Sequence, residues 1–205
     1  LQEHLVEHGA LPPPAALALL GPIASALGAA HDKGIAHRDV KPANVFLVDV
    51  DVDAGGGAAA YKVKRLDFGI AKLSKEAGFD EQKPRTDVGA VVGTPAYMSP
   101  EQCLARPVDH RADIYAFGIV AFELLTGRRP FERSSSFELM HAHVHLPLPA
   151  ASSLVPTLPA AVDDALATIA AKGPAARPAS TRAAFDLLSA ALGVKSNEVI
   201  GKLMK

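Results

Sequence analysis

The eight residues His37-Arg38-Asp39-Val40-Lys41-Pro42-Ala43-Asn44 put a histidine, two cations, one carboxylate and one amide into a single short segment. Such a cluster is either a solvated charged loop or a set of groups arranged to handle a proton, a phosphate and a metal ion. Asp39 can accept a hydroxyl proton, and Lys41 can neutralise charge on a moving phosphoryl group. Asn44 offers a neutral oxygen to a hard cation. The segment alone does not choose between the two readings, so its neighbours decide.

Upstream, Leu17, Leu20, Ile23, Ala24, Leu27 and His31 recur at spacings of three and four, which predicts an amphipathic helix ending near Gly34. Pro22 lies inside it and removes a backbone donor, so a kink or a late helix start is expected. Downstream, "NVFLVDV" reads as a strand, "DAGGGAAA" as a turn or insertion, and "YKVKRLDF" as the returning strand of a hairpin. From Gly69 to about Arg111 the chain is rich in Gly, Pro, Thr and Ser, and reads as irregular.

Ala112 to Thr126 is apolar on almost every side, which marks a buried central helix that Gly127 stops before Pro130. "SSSFELMHAHVH" predicts another helix, with Ser136 as its cap. Leu158, Val162, Leu166 and Ile169 predict a further amphipathic helix, and Ala183 to Leu192 the last. The expected architecture is mostly helical around one small hairpin, with no internal repeat.

Composition narrows the function. The 205 residues are 49% hydrophobic, enough for a real core, and the net charge of −1 leaves no basic footprint for nucleic acid. Cys103 is the only cysteine, which excludes an intrachain disulfide and suits a reducing, cytoplasmic setting. The run "IYAFGIVAFELL" is interrupted by Glu123 and is too short to span a bilayer, and the N-terminal "LQEHLVEHGALPPP" lacks a signal-peptide core. A soluble domain without membrane insertion is expected.

Asp67-Phe68-Gly69 closes the second strand, and the hairpin would return the Asp67 carboxylate toward Asn44. Together with "HRDVKPAN", "DFG" and "GTPAYMSPEQ" (93–102), the order and spacing resemble the catalytic loop, metal-binding motif and activation-segment end of the serine/threonine protein kinases, in wording closest to the bacterial type. "DHRADIYAFGIVAFELLTGRRPF" resembles the central helix of the kinase large lobe, and "GPAARP" the segment whose arginine supports the activation segment. The fold implied is α+β and protein-kinase-like: a mainly α-helical C-terminal lobe over residues 1–193 with a small β-hairpin, then a tail over 194–205.

That resemblance implies roles by position. Asp39 would be the base that receives the proton of a protein Ser or Thr hydroxyl, and Lys41 would contact the γ-phosphate of ATP. Asn44 and Asp67 would hold Mg²⁺. His37, Phe68 and Gly69 belong to the assembled core of the site, Asp113 would brace the catalytic loop, and Glu101 would pair with Arg177. Lys41 with Thr94 is the serine/threonine rather than the tyrosine pattern. Arg38 before the base implies activation by a phosphate in the activation segment (67–101), for which Thr86 is the candidate and Ser74 a second hydroxyl in the segment.

The chain also departs from the family. Ser99-Pro100-Glu101 replaces Ala-Pro-Glu, and "DVDVDAGGGAAAY" lengthens the hairpin turn. The residues before His37 read as helix, so the β-rich N-terminal lobe, with its glycine-rich loop and ATP-anchoring lysine, is expected upstream in the same gene or on another chain. Gly55-Gly56-Gly57 with Lys62 and Lys64 does not replace it, because no helix separates Lys64 from Asp67. An alternative function is a truncated or pseudokinase-like docking module without turnover, binding through the 131–149 region and the activation segment. His141, His143 and His145 do not read as a metal triad, since residues two apart on a helix face away from each other. Cys103 reads as a plain, partly buried thiol.

Overall fold

The computed structural model describes residues 1–50, 60–66 and 95–194. The Asp53–Gly57 part of the turn, Asp67, Phe68, Gly69, Ser74, Thr86, Thr94 and the tail beyond Val194 lie outside the described residues. Among those described, the elements run in order: helix Gln2–His8, a long helix Pro13–His31, strands Val45–Val50 and Ala60–Leu66, a short helix Pro100–Cys103, a central helix Arg111–Thr126, and helices Ser136–His145, Ala151–Leu154, Ala161–Ile169 and Thr181–Ala191.

The central helix is the hub. Every residue from Ala112 to Thr126 is buried, as its all-round apolar sequence requires. The long helix, the helix Ala161–Ile169 and the last helix pack around it. Two glycines permit this closeness. A Cβ on Gly118 would stand 2.8 Å from Ile169 Cγ2, so only a bare backbone fits there. Gly127 ends the helix in a left-handed conformation with φ +69, donating its N–H to the Glu123 carbonyl at 2.8 Å.

The long helix starts at Pro13, with proline at its first positions, and runs through Pro22. The expected late start is therefore corrected: burial of Leu17, Leu20, Ile23 and Leu27, each at 0% exposure, outweighs the one hydrogen bond that Pro22 removes. It stops at His31, and Gly34 follows with φ +74. This helix is long and apolar enough to cross a membrane by length and composition, yet its apolar side is taken up by the central and last helices. Thr181 Oγ1 ties the last helix to it by donating to the Ala24 carbonyl at 2.9 Å.

The hairpin pairs Val45 with Leu66 and Val50 with Ala60, antiparallel, with a bulge after Phe46. The cap of helix Ser136–His145 is Ser135, not Ser136: Ser135 Oγ accepts the Glu138 N–H at 3.1 Å. The stretch before Arg111 is less irregular than its composition suggests. Pro95–Tyr97 forms a 3-10 turn, and Ser99 opens the helix Pro100–Cys103 with a capping box to Gln102.

Candidate active site

The site assembles where the loop after the long helix meets the first turn of the central helix. Asp113 lies in that first turn, and its carboxylate reaches out of the helix. Its Oδ2 accepts the His37 N–H at 2.7 Å and its Oδ1 accepts the Arg38 N–H at 2.7 Å. His31 Nε2, at the end of the long helix, meets Oδ2 at 2.8 Å. Asp113 is 1% exposed, so three elements converge on one buried carboxylate. It braces the loop and makes no helix cap. Arg38 sits at φ +62, a conformation that side chains rarely adopt, and the two bonds from Asp113 hold it there.

The geometry downstream follows from two local rules. Val40, 2% exposed, anchors the loop in the core and leaves Asp39 and Lys41 on either side of it. Lys41 precedes Pro42 and is therefore extended, with φ −161. Pro42 then opens a 3-10 turn in which Asn44 N–H donates to the Lys41 carbonyl at 3.0 Å. That turn brings Asn44 back onto Asp39: Asn44 Nδ2 donates to the Asp39 carbonyl at 2.7 Å and to Asp39 Oδ2 at 3.2 Å. Lys41 Nζ stands 3.0 Å from Asp39 Oδ2 and 3.2 Å from Oδ1. Asp39 Oδ2 thus gathers the ammonium and the amide, while the Asp39 N–H donates to His37 Nδ1 at 3.3 Å.

A second polar centre lies below the loop. Arg177 is wholly buried and forms a bidentate bridge to Glu101, at 2.7 and 2.8 Å. Its remaining donors go to the carbonyls of Ala171, Arg111 and Lys172. Burial pushes the Glu101 carboxyl up, but its hydrogen bonds, those from Arg177 foremost, outweigh burial and hold it below the usual range. Tyr97 donates to Glu123 Oε2 at 2.6 Å, and burial raises both groups.

The protein kinase domain family matches residues 1–189. The chain belongs to that family, and its relatives place it with the bacterial serine/threonine type. It is 45% identical over 178 residues to the serine/threonine-protein kinase Pkn1 of Myxococcus xanthus, covering 87% of this chain and 24% of that protein. It is 42% identical over 181 residues to the probable serine/threonine-protein kinase PknB of Corynebacterium glutamicum, covering 86% and 26%. The crystal structure of the Mycobacterium tuberculosis PknI kinase domain superposes with a TM-score of 0.65 at 30% identity, over 94% of this chain and 61% of that one. The chain therefore spans about a quarter of the length of those two curated relatives, and its elements are those of the kinase large lobe.

Within this kinase lobe the structure brings together His37, Arg38, Asp39, Lys41, Asn44 and Asp113 in one cluster, and Glu101 with Arg177 in another. Asp67, Phe68, Gly69, Thr86 and Thr94 lie outside the described residues. Gln102, unremarked in the sequence reading, links the two clusters: its Nε2 donates to the Arg38 carbonyl at 2.9 Å. The spacing of Ser99 and Gln102 signals a capping box, but nothing local signals the bond across to Arg38.

The histidine run divides between two faces of its helix. His143 is fully buried and bonded to the Tyr115 hydroxyl at 2.8 Å, whereas His141 and His145 lie on the exposed side, and no metal-binding cluster of three ligands occurs among the described residues. Burial, then the charge of Glu101, pushes the Cys103 thiol up to about 11, which keeps it protonated and unreactive.

Proposed function

We propose that this lobe carries the phosphoryl-transfer machinery of an ATP- and Mg²⁺-dependent serine/threonine protein kinase. The observation that carries the reading is the convergence of Lys41 and Asn44 on the Asp39 carboxylate, in a loop clamped through two backbone N–H groups by Asp113. That is the arrangement needed to receive a proton beside a developing negative charge.

In this reading Asp39 orients the acceptor Ser or Thr hydroxyl and takes its proton as the new O–P bond forms. Lys41, already paired with Asp39, shifts its ammonium toward the γ-phosphoryl oxygens and offsets charge there. The Asn44 amide fits a hard cation, because both Nδ2 hydrogen bonds go to Asp39 and leave Oδ1 as an oxygen donor. Asp67 would supply the carboxylate ligand. Bound Mg²⁺ would neutralise and align the ATP phosphates.

The lobe also offers a floor for the nucleotide. A cavity of about 670 Å³ has Leu1, His4, His8, Val45, Phe46 and Leu47 in its lining, with Glu3 and Glu7 also on it, and Phe46 in its wall is 49% exposed. We assign it as the floor on which ATP rests beneath a β-rich small lobe, supplied upstream in the same gene or by another chain. The partners are proteins with Ser or Thr acceptors, and the use of ATP puts the lobe on the cytoplasmic side. Phosphorylation at Thr86, paired by Arg38, would be the activating event.

The test is transfer of labelled phosphate from ATP to a Ser/Thr protein substrate with Mg²⁺, using the natural full-length gene product. Transfer that Asp39→Asn abolishes, with the fold unchanged by circular dichroism, is the expected result. Equal transfer by wild type and D39N would overturn the assignment of Asp39, and no transfer by either would favour a docking module.

A further inference from the structure

The peptide unit joining Arg38 to Asp39 is held on both of its polar atoms. Its carbonyl accepts from Gln102 Nε2 at 2.9 Å, and its N–H donates to His37 Nδ1 at 3.3 Å. Because a peptide unit is planar, fixing its carbonyl fixes the plane from which the Asp39 side chain departs. Gln102 is itself rigidly mounted. Its Oε1 accepts the Ser99 N–H at 3.0 Å, its own N–H donates to Ser99 Oγ at 3.4 Å, and its neighbour Glu101 is locked to buried Arg177. The two ends of one amide therefore do different things: the oxygen caps a helix and the nitrogen reaches the catalytic loop. Arg38 needs such restraint, since φ +62 is unfavourable for a side chain and Asp113 holds only its N–H side.

We propose that Gln102 is a positioning residue for Asp39, transmitting the placement of the segment 99–103 to the proposed base through the Arg38 carbonyl. The inference rests on the kinase reading above for its effect on turnover, and on geometry alone for the contact. It explains why glutamine stands at this site. A capping box accepts glutamate or glutamine equally at its third helical position, but only glutamine also donates.

That difference supplies the test. Gln102→Glu in the full-length gene product keeps the cap to Ser99 and turns an acceptor toward the Arg38 carbonyl. Gln102→Met keeps the length and removes the donor without adding charge, losing also the oxygen that caps Ser99, which Q102E retains. In both variants, amide hydrogen exchange across His37–Val40 should quicken by about tenfold, the cost of one lost hydrogen bond. The kcat for phosphate transfer should fall by about tenfold, the KM for ATP should stay within about twofold, and the folding equilibrium of Q102E should weaken by no more than that same tenfold factor. Unchanged exchange, or unchanged kcat with quickened exchange, overturns the proposal. A fall confined to Q102E overturns it too, because repulsion by the new carboxylate would then be the cause. Should the wild type transfer no phosphate, the kinase reading fails, while the exchange rates still decide whether Gln102 holds the loop.

Discussion

The carboxylate of Asp113 and the backbone of Arg38 form the joint on which the site hangs: Arg38 N–H donates to Oδ1 at 2.7 Å while the residue holds φ +62. The helix that bears Asp113 is buried along its length, so the loop inherits the rigidity of the core. Asp113→Asn replaces one acceptor oxygen with an NH₂ that confronts a backbone N–H. One charge-assisted bond is lost and a buried donor is left facing a donor, which should cost about 2–3 kcal/mol. Urea unfolding checks the stability, and phosphate transfer should fall together with it, because Asp39 is one residue away from the released joint.

Glu101 and Arg177 make the second joint, and both side chains are buried. Removing the guanidinium by Arg177→Ala strands a buried carboxylate, which should destabilise the lobe by about 3–5 kcal/mol, read as a shift in the urea midpoint. The pair also sets an acid limit. The Glu101 carboxyl is held below its ordinary value of 4.5 in the fold, so its contribution is complete above that value and is lost as pH falls through the folded value. In Glu101→Gln this acid loss should be absent from the stability profile. A profile as steep as that of the wild type would exclude Glu101 as its source.

Much of this was legible in the sequence because it depends on local rules. The spacing of Leu17, Leu20, Ile23 and Leu27 announced a helix face, and the all-round apolar run at 112–126 announced a buried helix. The clustering of Asp39, Lys41 and Asn44 was legible because these groups lie close along the chain. Of the kink or late start that Pro22 predicts, the late start fails, since the breaking of one hydrogen bond is local while the burial that outweighs it is tertiary. Ser135 rather than Ser136 as the cap lies within the ordinary ambiguity of a run of serines. The bond from Gln102 to Arg38 crosses 64 positions, and no pattern in a single sequence encodes a contact of that range.

Gly118 offers a test of packing alone. Alanine has the better helix propensity by up to about 1 kcal/mol, but its Cβ would stand 2.8 Å from Ile169 Cγ2 and 3.3 Å from the Ala170 backbone nitrogen. Overpacking at a helix crossing costs about 1–3 kcal/mol, so Gly118→Ala should lower the thermal midpoint. A raised midpoint in calorimetry would mean that the two helices slide apart freely.

His143 sets a second acid dependence, which begins nearer neutral pH. It is fully buried between Tyr115, whose hydroxyl it meets at 2.8 Å, and the Phe131 ring, with centroids 5.0 Å apart. The Lys172 ammonium donates to its carbonyl at 2.7 Å. Burial, reinforced by the Lys172 charge, pushes the imidazole down to about 4 from 6.5. The neutral ring is thus favoured in the fold, so the unfolded chain binds the extra proton first as pH drops. Stability should decline between about pH 6.5 and 4, by roughly 3 kcal/mol. His143→Gln keeps a polar partner for Tyr115 and cannot titrate, so the decline should vanish, leaving the opposite rise from Glu123, whose carboxyl burial raises so that the fold takes up its proton first, and the Glu101 loss below 4.5. Urea unfolding at half-unit steps of pH resolves the two: a decline that survives in H143Q above pH 5 would assign the titration to another group.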